Sequence, residues 1–265
     1  MLTRPSDKNF PVAPAASSGG YAEAFGSLGR MPPPEITARL IDGLQSATRR
    51  LLATAERLTD TEVRRPSGLP GWNVGHVLTH VARNADALGN LCDWARTGAP
   101  KPMYASAKSR EADIVAGAAR SAVVQAEDLA AASSRLQENF QSLPDAAWRA
   151  EVTWPDGKTR TADQIVVSRL TEVEVHHVDL GLGYCFDEIP AETRDVLLGY
   201  ASARWQTELG VVLRSTDTPW SSPSDTADVR IISGGSAALL GWVLGRTAGT
   251  TLTYDGRLPV LPAWG

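Results

Sequence analysis

Residues 71–91 read GWNVGHVLTHVARNADALGNL and contain two of the four histidines in the 265-residue chain. Apolar residues recur every three or four positions through this stretch, which predicts an amphipathic helix. Asn73 is suited to cap this helix, and the pattern continues to about Arg96. His76 and His80 are four residues apart, so they lie on the same face of the predicted helix, one turn from each other.

The other two histidines lie in a second helical stretch, residues 169–184, which reads RLTEVEVHHVDLGLGY. Glu172 precedes His176 by four residues, so these two side chains also share a helix face. If the two helices are neighbours in a bundle, two imidazoles and one carboxylate can converge on one point. Such a set, with a fourth position left open, is typical of a catalytic zinc site.

Spacing alone does not decide which histidines would bind the metal. His76 lies in the first turn of its helix, where an imidazole can be a partly exposed surface group, whereas His80 lies one turn deeper. His177 is about 100° around the helix from His176, so the two can hardly bind the same ion. We therefore expect His177 to be a surface imidazole or a residue behind the ligands.

Two further carboxylates follow on the second helix. We expect Glu174 to lie on a solvated face of the helix. Asp179 could orient a ligand histidine through its other ring nitrogen, as carboxylates behind metal ligands do. It could equally be a charge at the end of the helix, and the sequence leads us to favour that role.

Four helices are predicted within about 150 residues of the chain. The first begins after three consecutive prolines, and the third is rich in alanine. A Pro-Asp-Gly turn between two short alternating runs predicts a small β-hairpin before the fourth. Four such helices indicate a four-helix bundle. The predicted helices span residues 35–60, 73–96, 110–141 and 161–180.

The remainder of the chain changes character and predicts a small α+β unit. It contains two predicted helices, three short runs typical of strands, and the boundary lies near residue 187. We therefore divide the chain into a flexible leader (1–33), the bundle (34–186) and a C-terminal α+β domain (187–265). The predicted C-terminal elements are helices 191–209 and 236–244 and strands 211–213, 229–232 and 251–253.

Composition excludes several classes of protein. The net charge is −4 and no basic block occurs, so no nucleic-acid surface is expected. No apolar run approaches the roughly 20 residues needed to span a bilayer, and no secretory signal is evident. The two cysteines, Cys92 and Cys185, are too few for a disulfide framework. We expect a cytoplasmic monomer that acts on small molecules.

Three segments carry a resemblance to a known family. LPGWNVGHVLTHVARNADAL (69–88), LCDWARTGAPKPMY (91–104) and TEVEVHHVDLGLGY (171–184) resemble the mycothiol-dependent maleylpyruvate isomerases. These belong to a superfamily of metal-dependent helical bundles called DinB-like. The resemblance covers residues 35–185, and more loosely the C-terminal unit. It implies a mainly α fold, with a DinB-like four-helix bundle followed by a small α+β domain.

The resemblance also implies roles for individual residues. The family's metal ligands match His80, Glu172 and His176, and an arginine that contributes to activity matches Arg246. The implied cofactor is a divalent metal, zinc by default, although nickel, cobalt or iron would suit the same ligands. The substrate carries two carboxylates, for which Arg246 is the first candidate partner. Arg83 is a second candidate, with a surface charge as the alternative.

The implied reaction is the cis–trans isomerisation of maleylpyruvate to fumarylpyruvate, with mycothiol as the thiol cosubstrate. In this reaction a zinc-bound thiolate adds reversibly to the double bond. Two alternatives remain open. A mycothiol S-transferase would join the thiol to an electrophile at the same metal, and a non-catalytic bundle would use the metal only for structure or thiol binding.

Overall fold

Helices account for most of the fold of this computed structural model, which describes residues 33–203, 210–224 and 230–261. The leader up to residue 32 lies outside the described residues. The α-helices are α1 (Pro33–Ala55), α2 (Val74–Thr97), α3 (Ala107–Ala118), α4 (Ala122–Ser142), α5 (Gln164–Asp179), α6 (Ala191–Ser202) and α7 (Ser236–Val243). The strands are β1 (Glu151–Thr153), β2 (Thr159–Thr161), β3 (Val211–Ser215) and β4 (Arg230–Gly234).

The long helices α1, α2, α4 and α5 form a bundle around an apolar core. α2 packs along α4 and α5, and α1 packs along α5. Each of the four helices contributes a leucine that is at most 1% exposed. The predicted mainly α, DinB-like fold is confirmed, whereas the boundary near residue 187 stays a prediction. The four leucines are Leu51, Leu88, Leu129 and Leu170.

The start of α2 is fixed by a reciprocal cap. The side chain of Asn73 accepts a hydrogen bond from the backbone N–H of His76, and His76 Nδ1 accepts one from the backbone N–H of Asn73. This arrangement satisfies backbone donors that the first helical turn leaves unpaired. The predicted cap is therefore confirmed, and His76 is engaged in it.

The helix predicted over residues 110–141 is two helices, α3 and α4, and the single-helix prediction is wrong. The Ser121 side chain accepts a hydrogen bond from Val124 and caps α4. Asp60 Oδ1 accepts a second bond, 2.7 Å long, from the N–H of Ala122. The periodicity of the alanine-rich sequence continues through this break, because both helices bury a face that contains alanine. The pattern therefore does not show where one helix ends and the next begins. The break directs α3 along α2, at the end of the bundle that carries His80.

Gly117 permits the close approach of α3 to α2. A Cβ on Gly117 would overlap Thr79 Cγ2 and lie 2.8 Å from Thr79 Oγ1. We expect Gly117→Ala to lower the free energy of unfolding by about 1–3 kcal/mol, because the buried threonine has no flexible end to move aside. Urea denaturation measures the change.

Two variants control for this prediction. Gly43 in α1 has nothing within 4 Å of an added Cβ, so Gly43→Ala should leave stability unchanged or raise it. Adding Thr79→Ala to Gly117→Ala should recover part of the loss. A Gly117→Ala protein as stable as the wild type would contradict the steric account.

The C-terminal unit contains a parallel strand pair, with Val211 opposite Arg230 and Ser215 opposite Gly234. The helix predicted over 191–209 ends at Ser202, and residues 204–209 lie outside the described residues. The strand predicted over 251–253 is wrong. Only Thr253 is bridged, to Ser233. Gly249 and Gly256, on either side of the segment, have positive φ and interrupt the extended backbone that a longer strand requires. No helix among the described residues is both apolar enough and long enough to traverse a bilayer.

Candidate metal centre

The three predicted metal ligands lie together between α2 and α5. Glu172 Oε2 is 2.9 Å from His80 Nε2 and 3.3 Å from His176 Nε2. The ligand atoms of the three residues all lie within 4.8 Å of one another. The two imidazole rings are perpendicular, with centroids 4.7 Å apart. One cation can therefore contact two nitrogens and a carboxylate oxygen after small movements of the side chains.

The helices fix these side chains from two directions. Glu172 and His176 are one turn apart on α5, and His80 faces them from the second turn of α2. His80 is 5% exposed and His176 9%, whereas the Glu172 side chain is 25% exposed. Trp72 covers His80 with its ring centroid at 5.5 Å. The centre is thus buried on its histidine side and more open at the carboxylate.

The cluster separates the proton affinities of its members. Burial lowers the pKa of His80 to about 4. The pKa of His176 is raised to about 9, because hydrogen bonds to Asp179 and Glu172 outweigh the effect of burial. Burial would raise the pKa of Glu172, but hydrogen bonds from His176 and His80 hold it well below its usual value. Glu172 is therefore a carboxylate that accepts from two imidazoles.

This donor set fits a divalent metal. Two imidazole nitrogens point at one carboxylate oxygen, and a cation between them would replace the protons that now join them. Imidazole and carboxylate suit zinc and also nickel, cobalt or iron. Among the described residues this is the one group of three or more such side chains with suitable geometry.

Asp179 contacts His176 from behind. Its Oδ2 lies 2.9 Å from His176 Nδ1, and the residue is 3% exposed. Asp179 is the last residue of α5, as the favoured prediction has it, but its burial and this hydrogen bond also support the alternative role behind His176. The contact holds a proton on Nδ1, so that Nε2, once its own proton is displaced by a metal, is directed at the site, as is usual for histidines that bind metals.

Arg246 follows α7 and connects the C-terminal unit to the centre. Its Nε and Nη2 each donate a 2.9 Å hydrogen bond to Asp179, and its Nη1 donates to the carbonyl of Leu244. The guanidinium is thus paired bidentately with a carboxylate of this chain. Its predicted roles in catalysis and substrate binding stay predictions, and the geometry adds a role in positioning His176 through Asp179.

Arg83 lies one turn beyond His80 and is engaged by two carboxylates. Its Nη2 is 2.6 Å from Asp128 Oδ1 and 3.0 Å from Asp86 Oδ2. The pair with Asp128 links α2 to α4, whereas the pair with Asp86 lies within α2. The predicted substrate contact of Arg83 stays a prediction, and a substrate carboxylate would have to compete with both aspartates.

Glu174 and His177 form a second buried cluster on another face of α5. Glu174 is fully buried, and it accepts hydrogen bonds from Arg50 (2.6 Å) and from the Tyr184 hydroxyl (2.7 Å). The solvated face predicted for Glu174 is therefore wrong. His177 is 3% exposed, stacks on Tyr184 at 3.8 Å and hydrogen-bonds Thr54, so it is not a surface imidazole and lies away from the ligands.

This cluster predicts a loss of stability in acid. Burial lowers the pKa of His177 to about 4, against about 6.5 in the unfolded chain. Between these values the unfolded state binds more protons, so the free energy of unfolding falls as the pH drops from 6.5 to 4. Between pH 6.5 and pH 4 we expect the free energy of unfolding to fall by less in His177→Phe than in the wild type, the difference being on the order of 2 kcal/mol. Urea titrations across this range, with a chelator present, measure it.

The same substitution at His76, outside the cluster, controls for the loss of an imidazole. His177→Phe will also lower stability at neutral pH, since the hydrogen bond to Thr54 is lost. The informative quantity is therefore the slope. Parallel curves for the wild type and His177→Phe would contradict the account.

Two arginines beside the centre were missed by the sequence reasoning. Arg169 is 2% exposed and donates to the carbonyl of Val81 (2.7 Å) and to Asn84 Oδ1 (2.9 Å). Its position in an apolar run, three residues before Glu172, was an available signal. Arg110 Nη2 lies 3.2 Å from His80 Nδ1. Arg110 is on α3, and sequence spacing could not predict where this helix packs in the bundle.

Comparisons with known proteins agree with this fold. The family model described as "Mycothiol maleylpyruvate isomerase N-terminal domain" matches residues 44–181. A crystal structure of a mycothiol-dependent maleylpyruvate isomerase is 28% identical, with a TM-score of 0.77 over 88% of this chain and 98% of that one. A histidine-to-alanine mutant structure of a protein with the same description is 27% identical, with a TM-score of 0.76 and the same coverage. No curated protein matches the chain.

Proposed function

Because the chain belongs to the family of the mycothiol maleylpyruvate isomerase N-terminal domain, we propose that it is a metal-dependent enzyme that converts maleylpyruvate to fumarylpyruvate with mycothiol. The likeness to two structures described as mycothiol-dependent maleylpyruvate isomerases, over 98% of each, supports this proposal. The single observation that carries it is the convergence of His80, Glu172 and His176 within 4.8 Å.

The three side chains would hold the metal, and zinc is the proposed ion. When bound, the ion supplies positive charge and an open position at which a thiol ionises near neutral pH. Asp179 keeps the His176 proton on Nδ1, so Nε2 stays available as a ligand. Glu172 supplies a negative charge that offsets the cation, and Trp72 lies edge-on against the His80 ring.

The proposed reaction requires no redox partner and consumes no thiol. The mycothiol sulfur, as thiolate, adds to one carbon of the cis double bond, and the electron pair of that bond moves toward the adjacent carbonyl. The remaining carbon–carbon single bond rotates. The electron pair then returns, the carbon–sulfur bond breaks, and the thiolate leaves the trans product. The protein positions the reactants and stabilises the developing negative charge.

The test is an assay of the purified protein with mycothiol and maleylpyruvate. We expect cis–trans conversion with full recovery of the thiol, dependent on both metal and mycothiol. Metal analysis should give one equivalent, with zinc expected. A stable thiol adduct would point to S-transfer, and metal binding with no reaction of the thiol would point to a non-catalytic role.

A further inference from the structure

Arg110 lies at the edge of the metal centre, and within the described part of the chain its guanidinium is not paired with a carboxylate. It is one turn into α3, four residues beyond the capping Ser106. Its Nη2 hydrogen-bonds His80 Nδ1 at 3.2 Å, and its guanidinium carbon lies 5.7 Å from the centroid of the Tyr104 ring. Among the residues that the structure describes, no carboxylate forms an ion pair with Arg110.

The segment that carries Arg110 is held against α2. Asn90 Nδ2 donates hydrogen bonds to the carbonyls of Pro102 and Met103, and Met103 is buried. Tyr104 is partly buried beside the centre, where burial and the charge of Glu172 raise the pKa of its hydroxyl. The neutral ring is therefore a platform that keeps the Arg110 guanidinium close to His80.

The contact between Arg110 and His80 conflicts with a metal on His80. A guanidinium is only a donor, so Nδ1 must accept, and the ring proton must lie on Nε2, where it faces Glu172. A neutral imidazole that binds a metal through Nε2 carries its proton on Nδ1. The N–H of His80 Nδ1 then faces an N–H of Arg110. The usual partner of such an Nδ1–H is a carboxylate or a carbonyl oxygen, which can accept the hydrogen bond. Metal binding must therefore release Arg110 from His80.

The other arginines near the centre already have partners. Arg246 is paired bidentately with Asp179, and Arg83 with Asp86 and Asp128. Arg169 is 2% exposed and directed at a carbonyl and an amide oxygen. Arg110, half-buried on the edge of the site, is the cation that metal binding would leave without a partner.

We propose that Arg110 is a metal-gated anion receptor, which leaves His80 when the metal binds and then pairs with a carboxylate of a small dicarboxylate substrate. The inference rests on the proposed function for the identity of that substrate. Released from His80, the guanidinium can present two parallel N–H donors to a carboxylate. Metal binding and substrate binding are then coupled, because the binding of the metal by His80 frees the Arg110 guanidinium for the substrate carboxylate.

The experiment measures binding without catalysis. Succinate is a saturated dicarboxylate that cannot accept a thiolate, so it serves as the probe. Its affinity is measured by calorimetry for the zinc-loaded and zinc-free wild type, Arg110→Met, Arg110→Lys and Lys108→Met. Lys108 is an exposed cation on the same helix, so Lys108→Met removes the same charge outside the site. Zinc affinity is measured for each protein by competition with a chelator.

We expect zinc-loaded wild type and Lys108→Met to bind succinate alike, and Arg110→Met to bind it about 10- to 100-fold more weakly. Arg110→Lys should be intermediate, because it keeps the charge without the planar pair of donors. Zinc-free wild type should bind as weakly as Arg110→Met. Zinc affinity of Arg110→Met should equal or exceed that of the wild type, since a competing contact to His80 is lost.

Three results would overturn the proposal: no succinate binding by the zinc-loaded wild type, equal binding by Arg110→Met, or loss of zinc from Arg110→Met. The outcome is separable from that of the proposed function. Isomerisation by the wild type with equal succinate binding by Arg110→Met would remove only the role of Arg110. Metal-gated, Arg110-dependent succinate binding without isomerisation would keep the receptor and remove the isomerase.

Discussion

Glu172→Gln is expected to abolish metal binding at micromolar zinc and, with it, mycothiol-dependent isomerisation. The carboxylate is the only negative charge among the three proposed ligands, and an amide oxygen cannot replace that charge. The loss of zinc affinity should exceed the roughly 10- to 100-fold effect typical of residues behind the ligands. Equilibrium dialysis followed by metal analysis measures affinity, and the isomerase assay measures the activity.

Glu174→Gln is the matched control, because Glu174 is a buried glutamate two residues away on the same helix. It contacts Arg50 and Tyr184 and is not part of the centre. We expect this variant to lose stability but to keep its metal and its activity, which is the reverse of the result for Glu172→Gln. If Glu172→Gln retained full zinc affinity, Glu172 would not be a ligand.

Asp179→Asn is expected to lower zinc affinity by about 10- to 100-fold. Its carboxylate lies 2.9 Å from His176 Nδ1, and it raises the electron density on the nitrogen that faces the metal. Arg246→Gln should act in the same direction, because Arg246 holds Asp179 through two 2.9 Å hydrogen bonds. Zinc affinity and the separate values of kcat and KM are the measurements.

The double variant distinguishes the possible roles of Arg246. If Arg246 acts through Asp179, the two losses of zinc affinity should not add in Asp179→Asn/Arg246→Gln. If Arg246 instead binds the substrate, Arg246→Gln would raise KM and leave zinc affinity unchanged. Additive losses of zinc affinity would contradict the positioning role given to Arg246 here.

The bundle and the shared helix faces were predictable because they depend on local periodicity, whereas the choice of His80 over His76 came from the resemblance to the family. The i, i+4 spacings of His76 with His80 and of Glu172 with His176 fix which side chains share a helix face. The same patterns could not give burial on the other faces of a helix. Glu174 reads as a surface glutamate until Arg50 and Tyr184, from distant positions in the chain, are seen to surround it.

Contacts between distant segments account for the remaining errors. Asp60 caps α4 and thereby ends the helix predicted to continue through residue 121, although nothing in the local composition distinguishes this aspartate. Asp179 hydrogen-bonds His176 within α5, but it is Arg246, 67 positions later, that pairs with its carboxylate from another part of the chain. Arg110 approaches His80 because the break between α3 and α4 redirects α3, and periodicity carries no signal of that break.

X-ray absorption at the zinc edge tests the central claim most directly, namely that His80, Glu172 and His176 hold one metal with a position open to sulfur. For the zinc-loaded protein alone we predict nitrogen and oxygen neighbours at about 2.0–2.1 Å, with imidazole scattering from two rings. Addition of mycothiol should introduce one sulfur neighbour at about 2.3 Å. A spectrum without imidazole scattering, or one that mycothiol leaves unchanged, would contradict the account.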